Sequence, residues 1–389
     1  MPSSSQGHDV TRRRTWSTIG RIASLSAVAM IALVPGAAHG DRQGAAGWEI
    51  VPTENPVSPA SGLADVVALA ANDAWGVGEF FDPAEAVSRT LIEHWDGEAW
   101  SINPSPEVGT GYEALDAIDA VSADELWAVG SYHRTRFADE ESLILHRKDG
   151  AWAQVIAPGQ PGWDQITDVS ALGPDDVWAV GNGYTGSFII HWDGQAWSEV
   201  SGPNVGWLAA VDARAENDVW IVGQAPNTNG QGGTDNRALA LHWDGSSWIE
   251  VATPSTGHDF NDLLDVTARA ENDVWGVGAA WNSTEPFSTF ILRFDGQRWR
   301  IVRDARVGTD AALSGVLAVG PTDVVAVGTV AGQTLVERWD GRRWRVAATP
   351  SPGTNDGLAA VTESPSGELW AVGSTGVATG WQTLALRSS

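Results

Sequence analysis

The chain has no cysteine, one lysine (Lys148), two methionines and three tyrosines in 389 residues. Without cysteine there are no disulfides, no thiolate-ligated zinc, no iron–sulfur cluster, no thiol catalysis and no lipid-anchor cysteine. Positive charge is scarce: 23 basic residues face 49 acidic ones, for a net charge of −26. Affinity for phosphate needs clustered Lys and Arg, so a chain this acidic is expected to repel nucleic acid and anionic membrane. The long apolar runs are also missing. The one clear stretch, Ile22 to Val34, is too short to span a bilayer.

That stretch has another use. Arg12, Arg13 and Arg14 precede it, Pro35 and Gly36 break it, and Ala38-His39-Gly40 follows with small residues. This order is that of a secretory signal, so residues 1–40 are expected to be a cleaved leader and 41–47 a short linker. Cleavage after Gly40 removes four Arg and one Asp and leaves a net charge of −29. The mature chain is expected to be secreted, without membrane insertion, and monomeric. Nearly all basic residues are Arg, and Ala and Gly are abundant, which points to a GC-rich bacterial source.

What the sequence has in excess is tryptophan, 22 residues, and glycine, 44 residues. Both are arranged in repeats. Asp176-Val177-Trp178-Ala179-Val180-Gly181 returns in variants ending at Gly78, Gly130, Gly223, Gly278, Gly328 and Gly373. A second phrase, His-Trp-Asp-Gly-x-x-Trp, occurs at His94–Trp100, His191–Trp197 and His242–Trp248, with variants ending at Trp152, Trp299 and Trp344. The aromatic position of the first phrase falls at Trp75, Trp127, Trp178, Trp220, Trp275, Val325 and Trp370, in steps of 52, 51, 42, 55, 50 and 45 residues. Periods of this size with several short strands per unit define a β-propeller.

Each unit reads as four strands. A Leu or Ile twelve residues before the aromatic position opens the first, from Leu63 to Leu358. The Val-Trp phrase is the second, with Trp and its valines on opposite faces. A strand such as Leu91–Trp95 is the third, and Asp-Gly turns the chain into the fourth. The last unit stops at Ser389 without a fourth strand, while Trp48-Glu49-Ile50-Val51 supplies one at the start. Residues 48–389 are therefore expected to form an all-β, seven-bladed propeller of four-stranded blades. Its N-terminal strand should pair with Gln382–Arg387 and close the ring.

The repeat resembles kelch repeats, as in galactose-oxidase-type propellers, in its order of apolar strand, Gly, variable loop, aromatic-Asp, short turn and Trp. It carries a single Gly where kelch repeats carry a pair, and His-Trp-Asp-Gly where they carry a Tyr. Copper-oxidase chemistry does not follow from the resemblance, because that site needs a cysteine-modified tyrosine.

Seventeen tryptophans occupy repeat positions and are assigned to packing between blades. His94, His146, His191 and His242 sit on different blades and are expected to pack on strands rather than gather round a metal. The informative residues lie outside the repeat. Trp163, Trp207, Trp281 and Trp381 fall in the variable loops, which all emerge on one face, and Tyr112, Phe260 and Phe287 join them. Rings interspersed with Asp, Asn and Arg suit stacking on a glycan or contact with an extracellular protein. They also suit a plug folded over the mouth of the ring. Trp281, Trp381, Tyr132 and Arg134 are the expected ligand contacts, with Trp163 and Trp207 beside them.

Two further groups bear on chemistry. Tyr132, His133 and Arg134 form the best acid–base cluster and would suit a polysaccharide lyase or glycoside hydrolase. Asp65, Asp168 and Asp265 share one offset on the innermost strand. They offer either a site in the channel mouth for a cation, Ca²⁺ by type, or a polar ligand, or else carboxylates that are hydrated by channel water or cap backbone N–H groups. The reading the residues favour is a non-catalytic binder without a cofactor. A hydrolase or lyase on the same face, and a structural surface protein without a specific ligand, are the alternatives.

Overall fold

The computed structural model describes residues 47–388 apart from 57, 137, 159–163, 204 and 228–234. The expected leader, most of the linker and Trp163 therefore lie outside the described residues. Within them the chain forms strands β1 to β28 in seven four-stranded antiparallel sheets, with no helix. Strand β1 (Glu49–Val51) stands apart in sequence from its sheet. Blade 1 is β2 (Ser61–Ala70), β3 (Asp73–Asp82), β4 (Val87–Trp95) and β5 (Trp100–Ile102). The same order repeats as β6–β9 over 113–155, β10–β13 over 165–199, β14–β17 over 207–250, β18–β21 over 260–301 and β22–β25 over 311–346. Blade 7 is β26 (Asp356–Glu363), β27 (Leu369–Val377) and β28 (Gly380–Ser388), completed by β1.

Each innermost strand lies against the innermost strand of the next blade, and β2 against β26 closes the circle. Closure uses the register Glu49↔Arg387, Ile50↔Leu386 and Val51↔Ala385. Asn55 Oδ1 reinforces it by accepting from the Thr383 backbone N–H at 2.9 Å and from Ser61 Oγ at 2.9 Å, joining blade 7 to blade 1. Removing residues 47–52 exposes the edge of β28 and takes away Trp48, which packs on the core between blades 6 and 7. A fall in melting temperature of at least about 5 °C is expected. Unchanged unfolding of the truncated chain would show that β1 does not hold the ring.

The repeated phrases have identifiable jobs. In blades 1, 3 and 4 the leading Asp accepts from its own Trp indole and from the third-strand His. Trp75 Nε1 and His94 Nε2 both lie 2.9 Å from Asp73 Oδ1, and His242 Nε2 lies 2.8 Å from Asp218 Oδ1. The imidazole also stacks on the indole, with ring centroids 3.8 Å apart for Trp127 and His146. In blade 5 an arginine replaces the histidine: Arg293 lies 4.9 Å from the Trp275 ring centroid and donates to Asp273. The histidines are thus packing residues, each held within its own blade.

The phrase-ending Gly faces a register shift. In every blade the innermost strand carries an extra residue between the opening Leu or Ile and the position two further on, as between Leu63 and Asp65. A Cβ on Gly78 would lie 2.1 Å from the Gly62 carbonyl oxygen, so the bulge and the glycine require each other. In the outer hairpin, Asp96 Oδ1 accepts from the backbone N–H groups of Glu98 and Ala99 at 2.8 and 2.9 Å, while Gly97 adopts φ 99°.

The tryptophans of the second and fourth strands meet edge-on between blades. Trp127 of blade 2 meets Trp197 of blade 3 at 5.3 Å and 89°, and Trp220 of blade 4 meets Trp299 of blade 5 at 5.4 Å and 90°.

Candidate functional site

The variable loops gather on one face, and the residues singled out from the sequence separate there into local groups. On blade 2, Tyr132 is not on the loop surface. Strand β7 (Glu125–His133) extends past the repeated phrase, and Tyr132 continues the face of Leu126 and Ala128 into the core between blades 1 and 2. Its hydroxyl donates to Glu141 Oε2 at 2.9 Å, and Arg134 donates to the same oxygen at 2.8 Å. That pairing holds the Glu141 carboxyl below the usual carboxylate range, with the Arg134 hydrogen bond as the main cause. His133 is fixed through its backbone, its N–H donating to the Tyr112 carbonyl at 2.7 Å, with its ring 5.7 Å from that of Tyr112. Arg136 reaches blade 1 and donates to the carbonyls of Glu85 and Ala86 at 3.0 and 2.9 Å. The loops of blades 1 and 2 are stitched together, and the tyrosine and arginine proposed for acid–base work are engaged in that structure.

On blade 5, Trp281 ends β19 (Asp273–Trp281) and stacks on Phe260, with centroids 4.9 Å apart and planes 11° from parallel. Phe287 also packs against it, tilted, at 4.7 Å and 52°. All three rings are half-buried. On blade 7, Trp381 sits at the seam, its N–H donating to the Pro59 carbonyl at 3.0 Å. Trp207 opens β14 (Trp207–Ala215) opposite Gln224, also half-buried. No described contact joins Trp281, Trp381 and the Tyr132–Arg134 pair, so they are separate features of one face rather than one pocket. A cleft of about 320 Å³ lies at the seam, lined by Thr53, Asn55, Thr375, Gln382 and Thr383 among others.

Asp65, Asp168 and Asp265 act as ties between blades. Asp65 Oδ1 accepts from Val66 N–H at 2.7 Å and Oδ2 from Ile118 N–H of blade 2 at 2.8 Å. Asp168 reaches Val211 of blade 4 and Asp265 reaches Val316 of blade 6 in the same way, each at 2.7 Å. Each of these oxygens accepts one backbone hydrogen bond. Sequence reasoning missed the companions Asp119 and Asp212, two positions further along the innermost strand, which bond to Ala171 of blade 3 and Ala268 of blade 5. The five carboxylates therefore form a chain of ties from blade 1 to blade 6. They keep a little surface toward the ring axis but are enclosed by protein. Burial pushes the Asp65 carboxyl up to about 8, those of Asp212 and Asp265 to about 7 and that of Asp119 to about 6. Asp168 rises well above its ordinary value for the same reason, aided by Asp65 and Asp265.

Two buried glutamates were also missed. Glu93 and Glu337 fill a third-strand slot that holds Leu145, Ile190, Leu241, Leu292 and Leu386 in the other blades. Both are fully buried, and burial raises them to about 8 and about 7. Glu337 accepts from Ala305 N–H at 2.9 Å, and Glu93 faces Thr383 across the seam.

Comparison with known proteins gives the class. No family model matches the chain. It is similar in structure to YCF48 bound to a D1 peptide, with a TM-score of 0.57 and 16% identity, over 89% of this chain and 95% of that one. YCF48 from Cyanidioschyzon merolae aligns at a TM-score of 0.55 and 17% identity, over 88% of this chain and 98% of that one. A catalytically inactive virginiamycin B lyase from Staphylococcus aureus with quinupristin aligns at 0.58 and 13%, over 88% and 99%. The chain is a seven-bladed β-propeller, and at these identities the likeness shows the fold. One curated relative, a histidinol dehydrogenase from Corynebacterium glutamicum, is 26% identical over 177 residues. The match covers 43% of this chain and 35% of that protein, so the chain spans about a third of its relative's length.

Proposed function

We propose that this chain is a secreted, bacterial, kelch-like propeller that binds an extracellular protein segment or glycan through its loop face without catalysing a reaction. The observation that carries the reading is the contrast on that face. The Tyr132–Arg134 groups are tied into Glu141, whereas the Trp281 ring, held by Phe260 and Phe287, remains half-exposed on a rigid strand end. A ring fixed by its neighbours presents apolar surface at little entropic cost. YCF48, a neighbour in fold, has been captured with a peptide, which supports a protein segment. Flat rings flanked by Asn and Asp support a sugar.

The test is a glycan array and a displayed-peptide library, both probed with the protein. Trp281→Ala is expected to weaken any specific binding about tenfold or more, since a stacked ring contributes on the order of 1–3 kcal/mol. His133→Ala is expected to change affinity only slightly. Release of cleaved glycan, abolished by His133→Ala, would instead establish the hydrolase or lyase reading. Silence on both arrays would leave a structural surface protein.

A further inference from the structure

The scarce positive charge is not spread evenly. Blade 5 presents Arg298 in its outer hairpin and Arg300 on β21 (Trp299–Ile301). Blade 6 presents Arg342 and Arg343 in its hairpin and Arg345 on β25 (Trp344–Val346). All five are exposed. Arg300 and Arg345 pair with Asp295 and Asp340 at 2.7 and 2.8 Å. Among the described residues, Arg298, Arg342 and Arg343 have no carboxylate partner. Ile301 and Val346, 46% and 55% exposed, follow Arg300 and Arg345 on their strands. The matching outer-strand positions in blades 2, 3 and 4 are Gln154, Glu199 and Glu250, and their hairpins carry no arginine. The two basic, apolar edges are neighbours, since the innermost strands of blades 5 and 6 pack together.

From this we infer that the hairpin side of blades 5 and 6 is a docking surface for an anionic lipid bilayer. The net charge of −26 opposes it at long range. Exposed charges are screened beyond about 8 Å at physiological salt, so acids on the far blades act weakly here. On the near side Asp295 and Asp340 are each held by an arginine, which leaves Glu271 against Arg298, Arg342 and Arg343. Shape favours a bilayer over a folded acidic partner. The residues are exposed, and none lines either of the two described clefts. Protruding arginines with aliphatic side chains beside them sink into a soft interface and need no complementary groove. The surface is independent of the loop face.

The test is co-sedimentation of the mature protein, residues 41–389, with vesicles of phosphatidylcholine, with and without phosphatidylglycerol. The reading is the ratio of the two partition coefficients, free of the basic leader that would itself favour anionic lipid. Wild type is expected to favour the anionic vesicles, less so at high salt. The Arg298→Gln, Arg342→Gln, Arg343→Gln variant should lose that preference by on the order of 100-fold. Its melting temperature should be unchanged, because the three side chains are exposed. Ile301→Ser should lower binding at fixed charge. Equal partition of wild type into both vesicle types would overturn the inference. So would a triple variant that keeps the preference, or arginine-dependent binding to a polyglutamate peptide with none to vesicles.

Discussion

Trp178→Ala is expected to cost about 3–5 kcal/mol of folding stability, as a large-to-small change in a packed core. The indole is 4% exposed and sits within about 6 Å of Trp243 and Trp248 of the next blade, with ring centroids at 5.5 and 5.6 Å. Its Nε1 also donates to Asp176, which in turn holds His191, so truncation loosens a hydrogen-bonded unit as well as a contact. Trp281→Ala removes a half-exposed ring and its contacts with two phenylalanines, and should cost about 1–2 kcal/mol. Denaturant unfolding of the two variants checks the division. Equal losses would show that loop-face and interblade tryptophans do the same work.

The ring is expected to melt at a higher temperature at pH 5 than at pH 8.5. The tie carboxylates have folded-state values raised above the ordinary 3.8, to between about 6 and about 8, because burial disfavours their charged form. A raised acid binds its proton more tightly folded than unfolded. Its stabilising contribution is complete below about pH 4 and is lost as pH rises through 6 to 8. Glu93 and Glu337, raised to about 8 and about 7, act in the same direction. His146, lowered by burial, opposes them below its ordinary value of 6.5, but it is one group. The hairpin residues Asp295 and Asp340, pulled down to about 2 chiefly by their arginines, weaken the fold only in strong acid. Calorimetry across this range should show a fall on the order of 10 °C. A flat profile would mean that the ties stay ionised, and Asp65→Asn should flatten part of the slope.

The seven blades were legible because each repeated residue answers a separate local demand. The Leu twelve before the aromatic starts the innermost strand, Asp-Gly turns the hairpin, and Trp fills the gap between blades. Such demands recur at fixed spacing, so the repeat reveals them. Tyr132 shows where this stops. The repeated phrase ends at Gly130, which makes Tyr132 read as a loop residue, yet the strand runs on to His133 and the alternation from Leu126 carries the ring inward. Following period two beyond the phrase would have found it. Glu93 and Glu337 were visible as the odd members of a leucine-rich slot, but nothing in a single strand says that the slot is fully enclosed. The interblade ties depend on carboxylates meeting backbone some fifty residues away, a distance set by the ring and by no local pattern.

The closing strand also has a mechanical meaning. A chain tethered through its N-terminal segment transmits force to β1, which meets the ring through three paired residues and the Glu49–Arg387 ion pair at 2.9 Å. Load at Gly47 separates those rungs one at a time rather than shearing them together. The Asn55 bonds to Thr383 and Ser61 come next, and only behind them lies the tryptophan-packed body of the ring. Under tension the propeller therefore has a built-in first point of yield. The seam that makes the ring continuous is also where pulling would open it, while the loop face of blades 2 to 5 keeps its shape.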